Sequence, residues 1–403
     1  MTMENKIPLF SLLIPTRNRA HLLRYALESV LMQDWDDYEL IVSDNDSSDG
    51  TKEFVAGFAH PRLHYIRPPA YLYVSDHWNF AIRHARGKYV LMLADDDCLV
   101  PHALQTFADV AQKTGASIIG CTQPDYFSPD FPIESQQNTL LLPAFSGAVK
   151  HLEMRQILVE CFSFNPAYYP RVTTLIAREI VERIQQQFGY FFAMPFPEYV
   201  AYTMAFSLVK EYVLVDKPLV IMGRTPASLG PNYFWFGSDP AWGEAGKFSF
   251  QNTPLKGMFA TNGIAESLLR AKRNLLENFQ GIDLAYDKYY SNYYADMLAQ
   301  QKLGRNVERE KNEYQLGVEA LSGDLRRRVL IRSREIERRR SFGFQLLGKA
   351  KRTILQILSA AQARVHSPNR VFSKGGLIRG EEISSTDILS CAKWLATIAD
   401  GSA

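Results

Sequence analysis

The chain has 403 residues, 46% of them hydrophobic, and a formal net charge of +2 at pH 7. That length suffices for a full α/β domain plus an extension, and so small a net charge argues against nucleic acid as a partner. The four cysteines, Cys98, Cys121, Cys161 and Cys391, are dispersed, which gives no disulfide framework and fits a reducing compartment.

Phe10–Ile14 reads as a buried strand that runs into Pro15-Thr-Arg-Asn-Arg19. His21–Met32 follows as an amphipathic helix, with Leu22, Leu23, Ala26, Leu27, Val30 and Leu31 at helical spacing. Tyr38–Ser43 is a second strand, ending in Asp44-Asn-Asp-Ser-Ser-Asp-Gly-Thr51, where Ser48 or Asp49 is placed to cap the next helix. Leu63–Ile66 is a short third strand, and Ser75–Ala85 a helix that breaks at Gly87. Strand–helix alternation with short polar loops predicts a parallel sheet covered on both faces, with ligands bound beyond the carboxyl ends of its strands. Thr16, Asp44 and Asp95–Asp97 all fall at that edge.

The apolar run from Tyr89 ends in Asp95, Asp96 and Asp97, with Pro101 at the start of the next helix. Carboxylates this close repel one another and raise each other's pKa unless a cation neutralises them. A Mg²⁺ or Mn²⁺ site completed by phosphate oxygens suits the pattern, and a solvated turn capping the following helix is the other reading. No zinc ligand set is visible among Cys and His, and neither a Walker-type loop nor Gly-x-Gly-x-x-Gly is present.

Three stretches in order carry a resemblance: Ile14–Arg19, Val42–Thr51 and Arg86–Pro101. Over roughly the first 225 residues the chain resembles a family 2 glycosyltransferase. That resemblance implies an α/β chain of the GT-A (nucleotide-diphospho-sugar transferase) fold. A Rossmann-like mixed sheet is flanked by helices, here with a C-terminal helical extension. It implies a metal-dependent inverting enzyme that uses a nucleotide-sugar, a UDP-sugar, and a glycan or lipid-linked acceptor, in bacterial surface polysaccharide synthesis. By the same resemblance, Pro15, Thr16 and Arg17 meet the nucleotide base. Asp44 accepts a hydrogen bond from that base, and Asp95 lies near ribose and phosphate. Asp96 ligates Mn²⁺ or Mg²⁺, with Asp97 as a further metal candidate. The sequence departs from the family in having Ala94 where the first Asp of Asp-x-Asp would fall, which leaves the ligand set open. Arg83 and Arg86 are weighed as diphosphate contacts against structural roles.

An inverting transfer needs a general base. Glu198 is the candidate catalytic residue, preceded by Phe191-Phe-Ala-Met-Pro-Phe-Pro197, whose bulk would desolvate the carboxylate and raise its pKa. It also begins a helix, Glu198–Leu208, whose dipole favours the anion, and a plain helix-start Glu is the competing reading. The family's usual acidic pair here reads Pro197-Glu198-Tyr199, a second departure. Between the two motifs, Arg171–Ala177 reads as a strand, and Tyr168 and Tyr169 as candidate acceptor contacts.

The domain expectations are a catalytic domain over 1–225, a Gly/Pro/aromatic lid or acceptor loop over 226–262 with Arg224 or Ser228 near the diphosphate, a helical extension over 263–365, and a linker with a short terminal helix over 366–403. Residues 326–365 pair basic side chains with Phe and Leu. That pattern suits an in-plane membrane helix, or a basic face packed on its own domain or on a second subunit as a homo-oligomer. No apolar signal region is seen at Met1–Lys6. The expected location is cytoplasmic, peripheral on the inner membrane face if the membrane reading holds. A nucleotidyltransferase of sugar phosphates and an inactive nucleotide-binding scaffold are the alternative functions.

Overall fold

The computed structural model describes residues 6–228, 250–338 and 375–399. Its strands are β1 (Phe10–Thr16), β2 (Tyr38–Asp44), β3 (Leu63–Ile66), β4 (Tyr89–Met92), β5 (Cys98–Leu99), β6 (Ile118–Thr122), β7 (Asp125–Phe127), β8 (Thr139–Leu142), β9 (Val149–Glu153), β10 (Leu175–Ala177), β11 (Glu211–Pro218), β12 (Val220–Arg224) and β13 (Gly376–Arg379). Eight form the central sheet, in the order β3-β2-β1-β4-β10-β6-β11-β9, and five form a second sheet, β13-β8-β7-β12-β5. The central sheet is mixed. β1, β2, β3 and β4 are mutually parallel where they pair, as are β6 and β11, while β10 is antiparallel to both β4 and β6 and β9 is antiparallel to β11.

The helices that cover it are α1 (Ala20–Leu31), α2 (Thr51–Ala56), α3 (Val74–Ile82), α4 (Ala103–Thr114), α5 (Met154–Phe162), α6 (Arg178–Phe188) and α7 (Pro197–Ser207). Side chains along a strand alternate between faces, so one strand feeds two cores. Leu12 and Ile14 join Leu23, Leu27, Leu104 and Phe107 on one side. Leu13 joins Ile82, Leu158, Ile180 and Tyr202 on the other. Both faces are dry, which is why these strands read as continuous apolar runs.

The second core does not stop at α7. Ile264 and Leu268 of the helix Ala260–Asn274, Tyr289 and Tyr293 of the helix Tyr286–Lys302, and Val329 all belong to it. The helical extension is therefore fused to the sheet layers by shared apolar burial. The terminal segment is tied in as well. β13 pairs with β8, and Cys391, Ala392 and Leu395 of the helix Ile388–Ala399 are fully buried against Cys98, Val100 and Ile221. Sequence reading placed a helix there but no strand, since Gly376-Leu-Ile-Arg379 is too short to show alternation.

Arg171–Thr174 is a turn, and the strand expected to begin at Arg171 is confined to Leu175–Ala177. Most of the loop 226–262 and of the basic stretch 326–365 lies outside the described residues. Among the described residues no helix is long and apolar enough to cross a membrane.

Candidate active site

β1, β2 and β4 are parallel and in register, so Thr16, Asp44 and the turn after Met92 emerge at one edge. The acidic turn is organised carboxylate by carboxylate. Asp95 accepts hydrogen bonds from Thr16 Oγ1 at 2.7 Å and from Arg19 Nη1 at 3.1 Å. Burial raises its pKa and the Arg19 charge opposes that rise. Asp97 accepts from the backbone N–H of Gly223 at 2.9 Å and of Ala94 at 3.4 Å, and burial together with the neighbouring Asp96 pushes its carboxyl well up. Asp96 Oδ2 accepts from Ser228 Oγ at 2.5 Å and from Thr225 Oγ1 at 3.5 Å, and no described donor meets Oδ1.

The turn 225–228 closes over this cluster. Ser228 N–H donates to Thr225 C=O at 3.1 Å, Thr225 N–H donates to Ser228 Oγ at 2.8 Å, and Arg19 donates to the Ala227 carbonyl. Gly223 is obligatory beneath it, because a Cβ there would lie 1.8 Å from the Asp96 carbonyl oxygen. Arg224 is paired with Asp125.

Asp44 is fully buried, with Oδ1 accepting from Ser47 N–H at 2.9 Å and Oδ2 from Tyr65 Oη at 2.5 Å, while Arg67 stands 3.5 Å from Oδ2. Burial and this bond push the Tyr65 phenol up to about 12, so it remains a donor at neutral pH. Beside it, Ser43 Oγ lies 2.9 Å from Nε2 of His77, whose pKa burial lowers to about 4. Asn45 clasps the backbone of Leu72 with both ends of its amide, at 2.8 and 2.9 Å. That brings Tyr71 under the Arg17 guanidinium, 4.0 Å from the ring centre. Pro15 sits within β1, opposite Ser43.

Glu198 occupies the first turn of α7, just after Pro197. The segment before it is pinned by buried polar groups. Asn79 of α3 accepts from Phe191 N–H and Phe192 N–H and donates to the Phe192 carbonyl, at 2.8 to 2.9 Å. Ser267 Oγ accepts from Phe196 N–H at 3.2 Å, and Arg270 donates to Met194 C=O at 2.9 Å. Glu198 is partly buried, and desolvation raises its carboxyl to about 7, the range a general base needs near neutral pH. Tyr199 beside it packs edge-on against Tyr169, at 5.5 Å between ring centres.

Sequence reading weighed a structural role for Arg86, and it has one. Its guanidinium pairs with Glu39 at 2.8 Å, just before β4 and so at the opposite edge of the sheet. Arg19, Tyr65, Arg67, Gly223 and Thr225 were given no role from sequence. Arg19 falls in the motif after β1, and Arg67 follows β3, which is parallel to β2, so both carry a topological signal.

A divalent cation that travels with a nucleotide takes one or two protein carboxylates and leaves the remaining positions to phosphates and water. Among the described residues no group of three or more His, Cys, Asp or Glu forms a closed protein cage. Asp96 fits the open arrangement, with a carboxylate oxygen that no described donor takes up and only oxygen groups beside it. The Asp97 carboxylate is engaged by two backbone N–H groups.

Residues 11–183 match the family model described as Glycosyl transferase family 2. A similar protein is the GalNAc(5)-diNAcBac-PP-undecaprenol beta-1,3-glucosyltransferase of Campylobacter jejuni, 31% identical over 182 residues, which are 42% of this chain and 59% of that protein. The UDP-Glc:alpha-D-GlcNAc-diphosphoundecaprenol beta-1,3-glucosyltransferase WfgD of Escherichia coli is 28% identical over 111 residues, 28% of this chain and 44% of that one. The chain thus spans about three-fifths of the first relative's length and less than half of the second's. Among solved structures, S. aureus TarS 1-349 in complex with UDP-GlcNAc aligns over 83% of this chain and 92% of that chain, at 15% identity and a TM-score of 0.46, too slight a likeness to bear on function. The likeness to glycosyl transferase family 2 thus spans residues 11–183 of the chain.

Proposed function

We propose that this protein is an inverting glycosyltransferase that moves a sugar from a nucleoside-diphosphate donor, a UDP-sugar, to a hydroxyl of a glycan or lipid-linked acceptor in bacterial surface polysaccharide synthesis. One observation carries the reading. Thr16, Asp44, Asp95 and Asp96 converge at one sheet edge, and Glu198, raised to about 7, stands in the loop-and-helix layer held by Asn79 and Ser267. The relatives support the substrate classes, since both are named for glucosyl transfer onto undecaprenol-diphosphate-linked sugars.

In this reading Pro15, Thr16 and Arg17 flank the base, with Arg17 held in place by Tyr71. Asp44 takes the hydrogen bond of the base while Tyr65 and Ser47 N–H fix its orientation. Asp96 holds Mn²⁺ or Mg²⁺, which when bound supplies positive charge to the departing diphosphate. Asp97, assigned with Asp96 from the family motif, here keeps the turn in shape. Glu198 takes the acceptor hydroxyl proton as that oxygen bonds to the anomeric carbon. The bond from that carbon to the diphosphate breaks on the opposite face, and its electron pair leaves with the nucleotide.

A lipid-linked acceptor requires approach to a membrane. The helix over 323–338 exposes Leu330 and Ile331, and Arg326, Arg327 and Arg334 beside them meet no carboxylate among the described residues. This face would rest on anionic headgroups, each cation near the surface adding about 1 kcal/mol.

The test is a calorimetric titration with UDP with and without Mn²⁺, followed by a nucleotide-sugar screen scored by thermal stabilisation. Metal-dependent UDP binding and stabilisation by one donor are expected. Binding that ignores the metal, or no binding, defeats the proposal.

A further inference from the structure

One more charge stands near both the acidic turn and the neighbour of Glu198. Arg171 opens the turn that leads into β10, and β10 runs antiparallel to β4. The residues before β10 therefore stand at the edge where β4 ends. Arg171 Nη1 lies 3.1 Å from Met222 Sδ. The next residue, Gly223, donates its N–H to Asp97 and leaves no room for a Cβ beside the Asp96 carbonyl. On its other side the Arg171 charge reaches Tyr199, where it opposes the burial that raises that phenol. The guanidinium is thus one residue from the acidic turn along β12 and within electrostatic reach of the neighbour of Glu198.

Arg17 stacks on the Tyr71 ring, and the remaining cations at this edge, Arg171 aside, are paired with carboxylates. Arg19 is held by Asp95, Arg224 by Asp125, and Arg67 by Asp44 and Asp46. Arg171 has no carboxylate within ion-pair distance among the described residues, and the thioether of Met222 is a weak acceptor. A partly buried guanidinium loses hydration that a thioether does not restore. Such a group is matched to an anion that arrives with the ligand, and guanidinium geometry suits phosphate oxygens.

We propose that Arg171 is the protein's own cation on the donor diphosphate, binding its β-phosphate. This rests on the reading of the crevice as a nucleoside-diphosphate-sugar site. The two cations would then share the charge that develops on the leaving group, with the arginine already in place before the donor binds.

UDP and UMP separate the two claims, because only UDP carries the β-phosphate. Both are titrated calorimetrically in the presence of Mn²⁺ into the full-length wild type, Arg171→Met and Arg171→Lys, with thermal melts as the check on folding. Arg171→Met is expected to weaken UDP by about 10- to 100-fold and to leave UMP within about twofold. Arg171→Lys, which keeps the charge but loses the fork, should fall between the two. Equal weakening of UDP and UMP, or UDP affinity within about twofold of wild type, overturns the assignment of Arg171. A wild type that binds neither nucleotide overturns the donor reading itself, and the Arg171 proposal with it.

Discussion

Replacing Glu198 by Gln removes a proton acceptor and also relieves a buried charge, so activity and stability should move in opposite directions. Lifting the carboxyl from 4.5 to about 7 by burial means that keeping it ionised in the folded protein costs about 3 kcal/mol. The sign follows from linkage. The folded protein binds this proton more tightly than the unfolded chain does. Its contribution to stability is therefore complete below pH 4.5 and is lost as the pH rises through about 7. Glu198→Gln has no such loss. It should match the wild type near pH 4 and exceed it by up to about 3 kcal/mol at pH 8, as read from urea unfolding at both pH values. Over the same interval its transfer rate should fall by about 10²- to 10⁴-fold. Wild-type kcat/KM should rise with pH and level off above about 7. A folded Glu198→Gln protein with wild-type turnover would end the general-base assignment. A stability difference that does not change with pH would show that the carboxyl is not desolvated.

Other outcomes test the acidic turn and the terminal segment. Asp96→Asn should lower Mn²⁺-dependent UDP affinity by more than about tenfold. Asp97→Asn keeps an acceptor for Gly223 N–H and should leave that affinity within about threefold, and an equal loss in both would make Asp97 a metal ligand. Leu395→Ala empties a fully buried position behind β5, and chemical denaturation should show a loss of about 2 to 5 kcal/mol. An effect within about 0.5 kcal/mol would mean that the terminal helix does not pack where it is placed.

The parts of the site that were legible in the sequence are those carried by periodicity and topology. β1, β2 and β4 are buried on both faces and read as apolar runs. Parallel neighbours end at one edge, so Thr16, Asp44 and Asp95 could be brought together without coordinates. The helix start at Glu198 was legible from its Pro and aromatic flank. What escaped depends on contacts across long separations. Ser228 donates to Asp96 from a turn 132 residues away, and Gly223 reaches Asp97 across 126. No local pattern encodes such pairs. Arg171 escaped for a related reason, since Arg171-Val-Thr-Thr174 has the composition of a strand but is held as a turn next to Gln123, whose Nε2 donates to Thr173 Oγ1 at 2.6 Å. β13 was missed because a four-residue edge strand draws its stability from its partner β8 and has little pattern of its own.

Ala94, where the resemblance would put the first carboxylate of Asp-x-Asp, is compatible with how the other three are satisfied. Asp95 is balanced by Arg19, and Asp97 is held by two N–H groups. Asp96 has hydroxyl partners and no cation within ion-pair distance among the described residues. A fourth carboxylate would meet three others that are already buried, and like charges at this spacing repel by about 1 to 3 kcal/mol. Ala94→Asp should therefore melt several degrees lower than the wild type without metal. The added carboxylate would stand beside Asp96 as a second oxygen ligand. Mn²⁺ should then restore the lost stability, raising the melting temperature of Ala94→Asp more than that of the wild type, with tighter Mn²⁺ binding read by electron paramagnetic resonance. A variant that loses stability without regaining it on addition of Mn²⁺ would show that this turn does not face a cation. The metal role of Asp96 would fall with it, whatever the outcome at Glu198.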